Sequence, residues 1–580
     1  MMKCNQFTLI ATALIFVGIT ACPLPTWAET ASQVTKSSYA PKVTRAAQGG
    51  VILPATSNLK VPEGADTIFV TPSGLQIEGD TLPALRATVA RIESSIKGQR
   101  VSGRALFEAA QALEDAYIRA GYLLARVALP PQTIEDGKVL TLIVTLGYVE
   151  RIDASAFSGT TRSRIEAILT PLVGNHALTK AELERRLLFA GDIPGVLLHS
   201  TLKAGETPGA TIIVVDGRDI PVLLSTQINN ERSDELGNYS ASINANFNNL
   251  LGLGEVGYLQ VGGYPGDHKS IFDDEPRNRQ LVAGITVPLS LDGWWMNVEA
   301  VDSKTNPTSK LDFPLRDEYQ RIATKLGYNW IRSRNFNTSS EISLDISSET
   351  QKFVVNQSEV EWTKDSLRVL RLSQNADLYT STEQYLTGNI TASFGIDGLG
   401  ARQGSDTLPM SRSGAKPDFR KLAISSRYSQ GFMLDRLQWS VLGKAQTAFG
   451  NAMPATEQFD LGGAGGLSGF DSGELVGDSG IMIRTELSFS ITLPPVDTFP
   501  SLGSAIAPYV FGALGSVAIE EATAVERSTI YANALGLGLR FGVSQRDTPS
   551  QTTLALEYGH GEQNSGPSDD RFSIRWTTQF

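Results

Sequence analysis

The sequence predicts an all-β barrel that spans a membrane, preceded by two α+β repeats. Three observations carry that reading. Segments alternating strictly between apolar and polar residues recur through the C-terminal part of the chain. No apolar run beyond the N-terminus approaches the roughly eighteen residues that a spanning helix needs. A glycine-rich stretch from Leu461 to Gly480, LGGAGGLSGFDSGELVGDSG, feeds straight into one of the alternating segments, as expected of a loop that folds back into a barrel.

In that segment Ile481, Ile483, Thr485, Leu487, Phe489, Ile491 and Leu493 share one face, and Met482, Arg484, Glu486, Ser488, Ser490 and Thr492 the other. A period of two held this long suits a tilted strand crossing a bilayer. The pattern repeats in Gln320 to Trp330, Lys421 to Ser429 and Leu437 to Phe449, and Phe572, Ile574, Trp576, Thr578 and Phe580 oppose Ser573, Arg575, Thr577 and Gln579 at the end. Composition agrees: 580 residues exceed one compact core, and 54 glycines with only 19% charged residues suit strands and turns better than a helical enzyme. A net charge of −11 argues against a nucleic-acid surface.

At the N-terminus Lys3 precedes an apolar core from Phe7 to Ile19, and Thr26-Trp27-Ala28 supplies a cleavage site, so residues 1–28 read as an export signal cut after Ala28. The alternative is lipidation of Cys22, because Ile19-Thr20-Ala21-Cys22 resembles a lipobox. Both cysteines, Cys4 and Cys22, lie in this segment, so no disulfide is expected in the body of the protein. Residues 29–65, rich in Ser, Thr, Ala, Gly and Pro, read as a linker.

Residues 66–147 and 148–217 form two similar units of strand, helix, helix, strand, strand. The first has a strand at Thr67 to Gln76, a helix with Leu82, Leu85, Val89, Ile92 and Ile96 on one stripe, and a helix capped by Ser102 with Leu106, Ala110, Leu113 and Tyr117 on its stripe. Strands Tyr122 to Leu129 and Lys138 to Thr145 close it. The second runs through Val149 to Ala154, a helix near Arg162 to Leu169, a helix opened by a Thr179/Glu182 capping box, and strands Val196 to Lys203 and Ala210 to Val215. Gly121-Tyr122-Leu123-Leu124 and Gly195-Val196-Leu197-Leu198 occupy matching places.

These units resemble paired POTRA domains, specifically those of two-partner secretion transporters, the TpsB family of ShlB/FhaC/HecB type. Gly121-Tyr122 through Leu129-Pro130-Pro131-Gln132 to Gly137 resembles the end of the family's first POTRA, and Leu183 to Leu188 with Asp192-Ile193-Pro194-Gly195-Val196 that of its second. Leu146 stands where the family usually has an acidic residue. The resemblance implies an outer-membrane barrel of about sixteen antiparallel strands over residues 218–580, with periplasmic POTRA domains. Sixteen candidate strands begin near 221, 238, 255, 279, 294, 319, 336, 366, 386, 419, 437, 480, 507, 531, 551 and 571. Long connections such as Gly263 to Arg277, Asp397 to Pro417 and Gly450 to Ser479 then fall outside the cell, and short ones such as Asn249 to Gly254 inside. Some relatives place a plug helix before the first POTRA. Tyr39 to Ala47 is the counterpart, interrupted by Pro41, and linker and plug both stay open.

The resemblance further implies a sixth extracellular loop, residues 450–479, folded into the lumen. Its tip motif, usually Val-Arg-Gly-Phe or Tyr, meets a Phe-x-Asp-x-Gly motif on the wall. The tip here is Leu467, Ser468, Gly469 and Phe470, without the arginine. The wall match is Phe511, Ala513 and Gly515, without the aspartate. Losing both charges together avoids stranding one in the lumen. Phe470 is expected to pack in a lumen pocket, Arg484 and Glu486 to project inward, and the loop to be held more weakly than with the charge pair, so that Ser468→Arg with Ala513→Asp quiets channel fluctuations.

The function implied is an outer-membrane pore that recognises an unfolded exoprotein, an adhesin or cytolysin, through its POTRA domains and exports it without nucleotide. Strand addition at Gly195, Val196, Leu197 and Leu198 is the expected first contact. A barrel insertase of the same superfamily is the alternative, and two POTRAs disfavour a passive porin. A monomeric barrel in outer-membrane lipid is expected, with no nucleic acid as partner. Other chemistry finds little support. Gly252 to Gly257 matches a dinucleotide fingerprint but lies in a tight turn between strands, with no helix to cap a phosphate. His176, His199, His268 and His560 lack ligand spacing, so neither metal nor cofactor nor enzymatic activity is expected.

Overall fold

A computed structural model describes residues 29–41, 51–52 and 61–580, apart from short breaks at 134, 208, 267, 309–313, 356–357, 381–383, 435, 496–500, 525 and 547. The export signal, its cut after Ala28, Cys22 and most of the linker lie outside the described residues.

The first αβ unit comprises β1 (Gly74–Gly79), α1 (Arg86–Ile96), α2 (Gly103–Arg119), β2 (Arg126–Ala128) and β3 (Val139–Thr145). The sheet order is β1-β3-β2, parallel between β1 and β3. The predicted apolar stripes form its core: Ile92, Ile96, Leu106, Ala110, Leu113 and Tyr117 pack on Leu140, Leu142 and Val144. Ser102 caps α2, its Oγ accepting from the Ala105 N–H at 3.3 Å. Two strands are shorter than the pattern predicts. Pro72 interrupts the Thr67 to Gln76 run, so Phe69–Val70 pairs separately with Val101–Ser102. Tyr122 to Ala125 is spent on a turn closed by the Ala125 N–H on the Tyr122 carbonyl, 3.1 Å.

The second unit contains β4 (Tyr148–Asp153), α3 (Gly159–Leu169), α4 (Lys180–Gly191), β5 (Val196–Ala204) and β6 (Ala210–Asp219). Thr179 caps α4, accepting from the Glu182 N–H at 3.2 Å, while the Glu182 carboxylate accepts from Asn175 at 3.5 Å. The sheet order is β5-β6-β4, and residues Val51–Ile52 add a short parallel strand to the free side of β5. Helix α4 also seats this unit on the barrel mouth. Arg332 grips the Asp192 carboxylate with two bonds of 2.7 Å, and Arg185 donates to the carbonyls of Asp292 and Trp330 at 2.9 and 3.0 Å.

The barrel consists of β7 (Val222–Asn229), β8 (Ser240–Asn248), β9 (Val256–Gly263), β10 (Asn278–Pro288), β11 (Trp294–Thr305), β12 (Leu315–Arg332), β13 (Phe336–Val355), β14 (Ser358–Tyr379), β15 (Gln384–Gly395), β16 (Arg420–Phe432), β17 (Leu437–Thr447), β18 (Ser479–Phe489 continuing as Ile491–Leu493), β19 (Leu502–Ala518), β20 (Thr529–Gln545), β21 (Gln551–Gln563) and β22 (Asp569–Gln579). They close as sixteen antiparallel strands. At the seam β7 pairs with β22, and Leu224 and Phe580 exchange backbone hydrogen bonds of 2.9 Å. β14 starts at Ser358, earlier than expected near 366: Val360 and Trp362 do alternate with Glu359 and Glu361, but a register shift between Glu361 and Thr363 and the polar run Thr363 to Ser366 cut this stretch off from the later alternation.

Closure separates the two faces of each strand. On β18, Ile481, Ile483, Leu487 and Phe489 point outward and are exposed, whereas Met482, Arg484 and Ser488 are buried in the lumen. Among the described residues no helix is long and apolar enough to cross a membrane.

Candidate functional site in the barrel lumen

Among the described residues, two pieces of chain occupy the lumen. The larger is the connection between β17 and β18, which turns inward and carries a small hairpin, Phe459–Asp460 with Val476–Gly477. Leu461, Leu467, Phe470 and Leu475 are essentially fully buried and pack on Tyr509, Phe511, Ala513, Val517, Ala532 and Ala534 of β19 and β20. This apolar burial fixes the path of the loop and therefore where its tip lands.

The tip lies on a strip of wall without side chains. A Cβ at Gly469 would meet the Gly561 nitrogen at 2.6 Å, one at Gly559 the Gly469 nitrogen at 2.9 Å, and one at Gly561 the Phe470 ring at 2.5 Å. The wall residues named from sequence flank this strip. Gly515 leaves room for Leu461, since a Cβ there would sit 2.6 Å from it. Phe511 lies beneath Arg484, with 3.7 Å from the guanidinium to the ring centre. Gly559 and Gly561 on β21 were not singled out from sequence, although paired glycines inside a strand signal a close backbone approach.

The polar contacts of the tip run from wall to loop. Arg484 Nη1 donates to Ser468 Oγ at 3.0 Å and to the Gly466 carbonyl at 3.1 Å, and its Nη2 lies 2.7 Å from Glu557. Tyr509 donates to the same Glu557 oxygen at 2.7 Å. Arg571 of β22 donates to the Phe470 carbonyl at 3.2 Å and pairs with Asp471. Glu486 does not reach the loop: it holds Arg540 at 2.5 and 2.9 Å and lies 3.6 Å from Arg484. At the loop's base Glu457 pairs with Arg371 at 2.5 Å and Lys421 at 2.7 Å. There too the buried Asp478 holds Arg412 at 2.8 Å. Burial and the neighbouring Asp569 and Asp471 carboxylates push the Glu474 carboxyl of the loop up to about 7.

The second piece is residues 29–41. A single turn, in which the Val34 N–H meets the Thr30 carbonyl at 3.1 Å, presents its first amides to wall carboxylates. The Ala31 N–H donates to Asp317 and the Ser32 N–H to Glu349, both at 2.9 Å. Tyr39 N–H donates to Glu299 at 2.8 Å, and Arg321 to the Lys36 carbonyl at 3.1 Å. The lumen-seated segment thus begins earlier than Tyr39 to Ala47, the stretch expected from sequence, and its turn precedes Pro41. A Cβ at Gly473 would lie 3.3 Å from Glu29, so the segment touches the loop.

Gly195 to Leu198 lie apart from the lumen. Gly195, with φ of +76°, accepts from the Ile220 N–H at 2.8 Å at the junction with the barrel. Val196 and Leu198 are turned toward the core of the second αβ unit, and Leu197 is exposed.

A family model described as haemolysin secretion/activation protein ShlB/FhaC/HecB matches residues 209–541, more than half of the chain. The chain belongs to that family. The ShlB-type POTRA domain model matches residues 70–147, within the first αβ unit. Among curated relatives of this ShlB/FhaC/HecB protein, the heme/hemopexin transporter protein HuxB of Haemophilus influenzae strain 86-028NP is 23% identical over 464 residues, 78% of this chain and 77% of that protein. The outer membrane transporter CdiB of Escherichia coli O6:K15:H31 is 23% identical over 401 residues, covering 67% and 64%. The solved structure of CdiB from Escherichia coli shares the fold at a TM-score of 0.66 and 19% identity, covering 91% of this chain and 94% of that one. CdiB from Acinetobacter baumannii does so at 0.58 and 17%, covering 91% and 93%. The ShlB/FhaC/HecB protein is an outer-membrane transporter of two-partner secretion, with its POTRA units on the periplasmic side.

Proposed function

We propose that the chain passes one large exoprotein, an adhesin or cytolysin, unfolded through its lumen, and that the arrangement described is the closed resting form. The observation that carries this reading is a lumen filled by two chain segments, 29–41 and 450–479, each held by noncovalent contacts and each free to leave without breaking the barrel. The exoprotein first adds a strand to a POTRA edge, where backbone hydrogen bonds supply affinity with little sequence readout. On β5, Val51 and Ile52 already pair with Ser200 and Thr201, so an incoming strand competes with the chain's own. Folding outside the cell gives the passage its direction, and no nucleotide is spent. The barrel works as a monomer, its outward apolar strips facing lipid.

Coexpression with a candidate exoprotein, a very long exported protein to be sought in the neighbouring reading frame, tests this. The exoprotein is expected in the medium only when the transporter is present. General loss of outer-membrane proteins on deletion would mark an assembly factor instead. Removing residues 29–41 is expected to raise single-channel conductance in planar bilayers, and an unchanged conductance would exclude the segment as an obstruction.

A further inference from the structure

We infer that the loop tip is held by an arginine borne on the barrel wall, Arg484, so that the polarity of this contact is reversed: the wall donates and the tip accepts. The inference deepens the reading of the lumen as a gate, but its test reads the position of the loop and not export.

Three observations converge on it. The tip offers only acceptors to Arg484, the Ser468 hydroxyl and the Gly466 carbonyl, at 3.0 and 3.1 Å. Arg484 is itself buried and fixed from three other sides: Glu557 at 2.7 Å, Glu486 at 3.6 Å, and the Phe511 ring beneath it at 3.7 Å. A planar guanidinium held this way has its remaining N–H groups aimed before the loop arrives, so little side-chain freedom is lost on contact. The surrounding charges also close without the tip. Arg484 and Arg540 face Glu486 and Glu557, two cations against two carboxylates. A neutral Ser468 therefore completes the site, and an arginine at 468 would add an unpaired cation to a partly buried cluster whose cavity Arg427 already lines.

The same geometry explains the alanine at 513. Ala513 lies directly opposite Arg484 in the β18–β19 register. An aspartate there would draw the guanidinium toward itself and away from the tip. Installing Ser468→Arg with Ala513→Asp is accordingly expected to leave the loop no tighter than it is. Arg571 makes a second contact of the same polarity, donating to the Phe470 carbonyl. Two wall arginines thus hold a tip that carries none.

A charge swap tests the assignment. The full-length protein with Leu475→Cys reports loop position, because Leu475 is buried in the seated loop. Maleimide labelling in outer membranes then measures how often the loop leaves, with heat-modifiable gel migration as the check that each barrel has closed. Ser468→Arg is expected to label about tenfold faster than the parent, as is Arg484→Ser, since each removes a charge-assisted contact or adds an unpaired buried charge. Combining Ser468→Arg with Arg484→Ser moves the guanidinium from wall to tip opposite the same Glu557, and labelling should fall back to within about threefold of the parent. The inference is overturned if Ser468→Arg labels as slowly as the parent, or if the swap labels as fast as Arg484→Ser alone. Should Ser468→Arg fail to close a barrel, the comparison of Arg484→Ser with the swap decides alone: a slower swap supports the assignment and an equal or faster one overturns it.

Discussion

At the scale of single residues, the lumen site is a matter of absent side chains as much as of present ones. Gly469 can lie on β21 only because neither it nor Gly559 nor Gly561 carries a Cβ. The atoms a Cβ at 469 would meet, 2.6 to 3.0 Å away, belong to the backbone of His560 and Gly561, which cannot rotate aside. Gly469→Ala is therefore expected to lift the tip at a cost of about 1–3 kcal/mol. Labelling of a Leu475→Cys reporter should rise at least about fivefold, while Gly443→Ala, where a Cβ meets nothing within 4 Å, leaves it unchanged. Equal rates for the two variants would show that the close approach is not needed. Alternation alone placed Arg484 in the lumen. It could not say that Arg484 meets Ser468, because that contact depends on the path the loop takes between them, and Leu461, Leu467 and Phe470 set that path by burial.

At the scale of the element, residues 450–479 behave as a tethered insert anchored at two levels: Glu457 and Asp478 at the base, where Gln446 bonds both of their carbonyls, and the tip beside Arg484. Glu474 gives this insert a dependence on pH. Its carboxyl ionises near 4.5 when free and near 7 when seated. Below the lower value both forms are protonated and seating is at full strength. As pH rises through the window between them, the free loop ionises first and seating weakens, and above 7 the full penalty of a buried charge applies. Current fluctuations in planar bilayers should be larger at pH 8 than at pH 5, and Glu474→Gln should flatten the difference. Identical fluctuations at both pH values in the unmodified protein would refute this. The loop's length and glycine content marked it in the sequence. Its anchor Glu457 was not marked, since an isolated glutamate beside Thr456 and Gln458 reads as an ordinary loop residue until Arg371 and Lys421 are brought to it from other strands.

At the scale of the whole molecule, two αβ units are fastened to a barrel. The second POTRA unit is fixed to the barrel through the nearly buried Arg332 and Asp192. Arg332→Ala leaves Asp192 without its partner and should loosen this junction by about 3 kcal/mol. Limited proteolysis is expected to cut near residue 220 faster in the variant while the barrel stays heat-modifiable, and an unchanged cleavage pattern would show that the remaining contacts of Glu184, Arg185 and Arg186 hold the junction without it. Much of this architecture is local in origin and so could be read from the chain. Period-two alternation, the apolar stripes of α1 and α2, and the caps at Ser102 and Thr179 each depend on neighbours within a few residues, and they determined two αβ units followed by sixteen strands. What decided how the lumen is filled was tertiary. That residues 29–41 meet Asp317 and Glu349, that a strand from the linker lies on β5, and that Arg484 serves where a tip arginine was expected all join residues far apart in the sequence. Such contacts are set by barrel closure and by which apolar side chains of the loop find room inside it, and no local pattern records either.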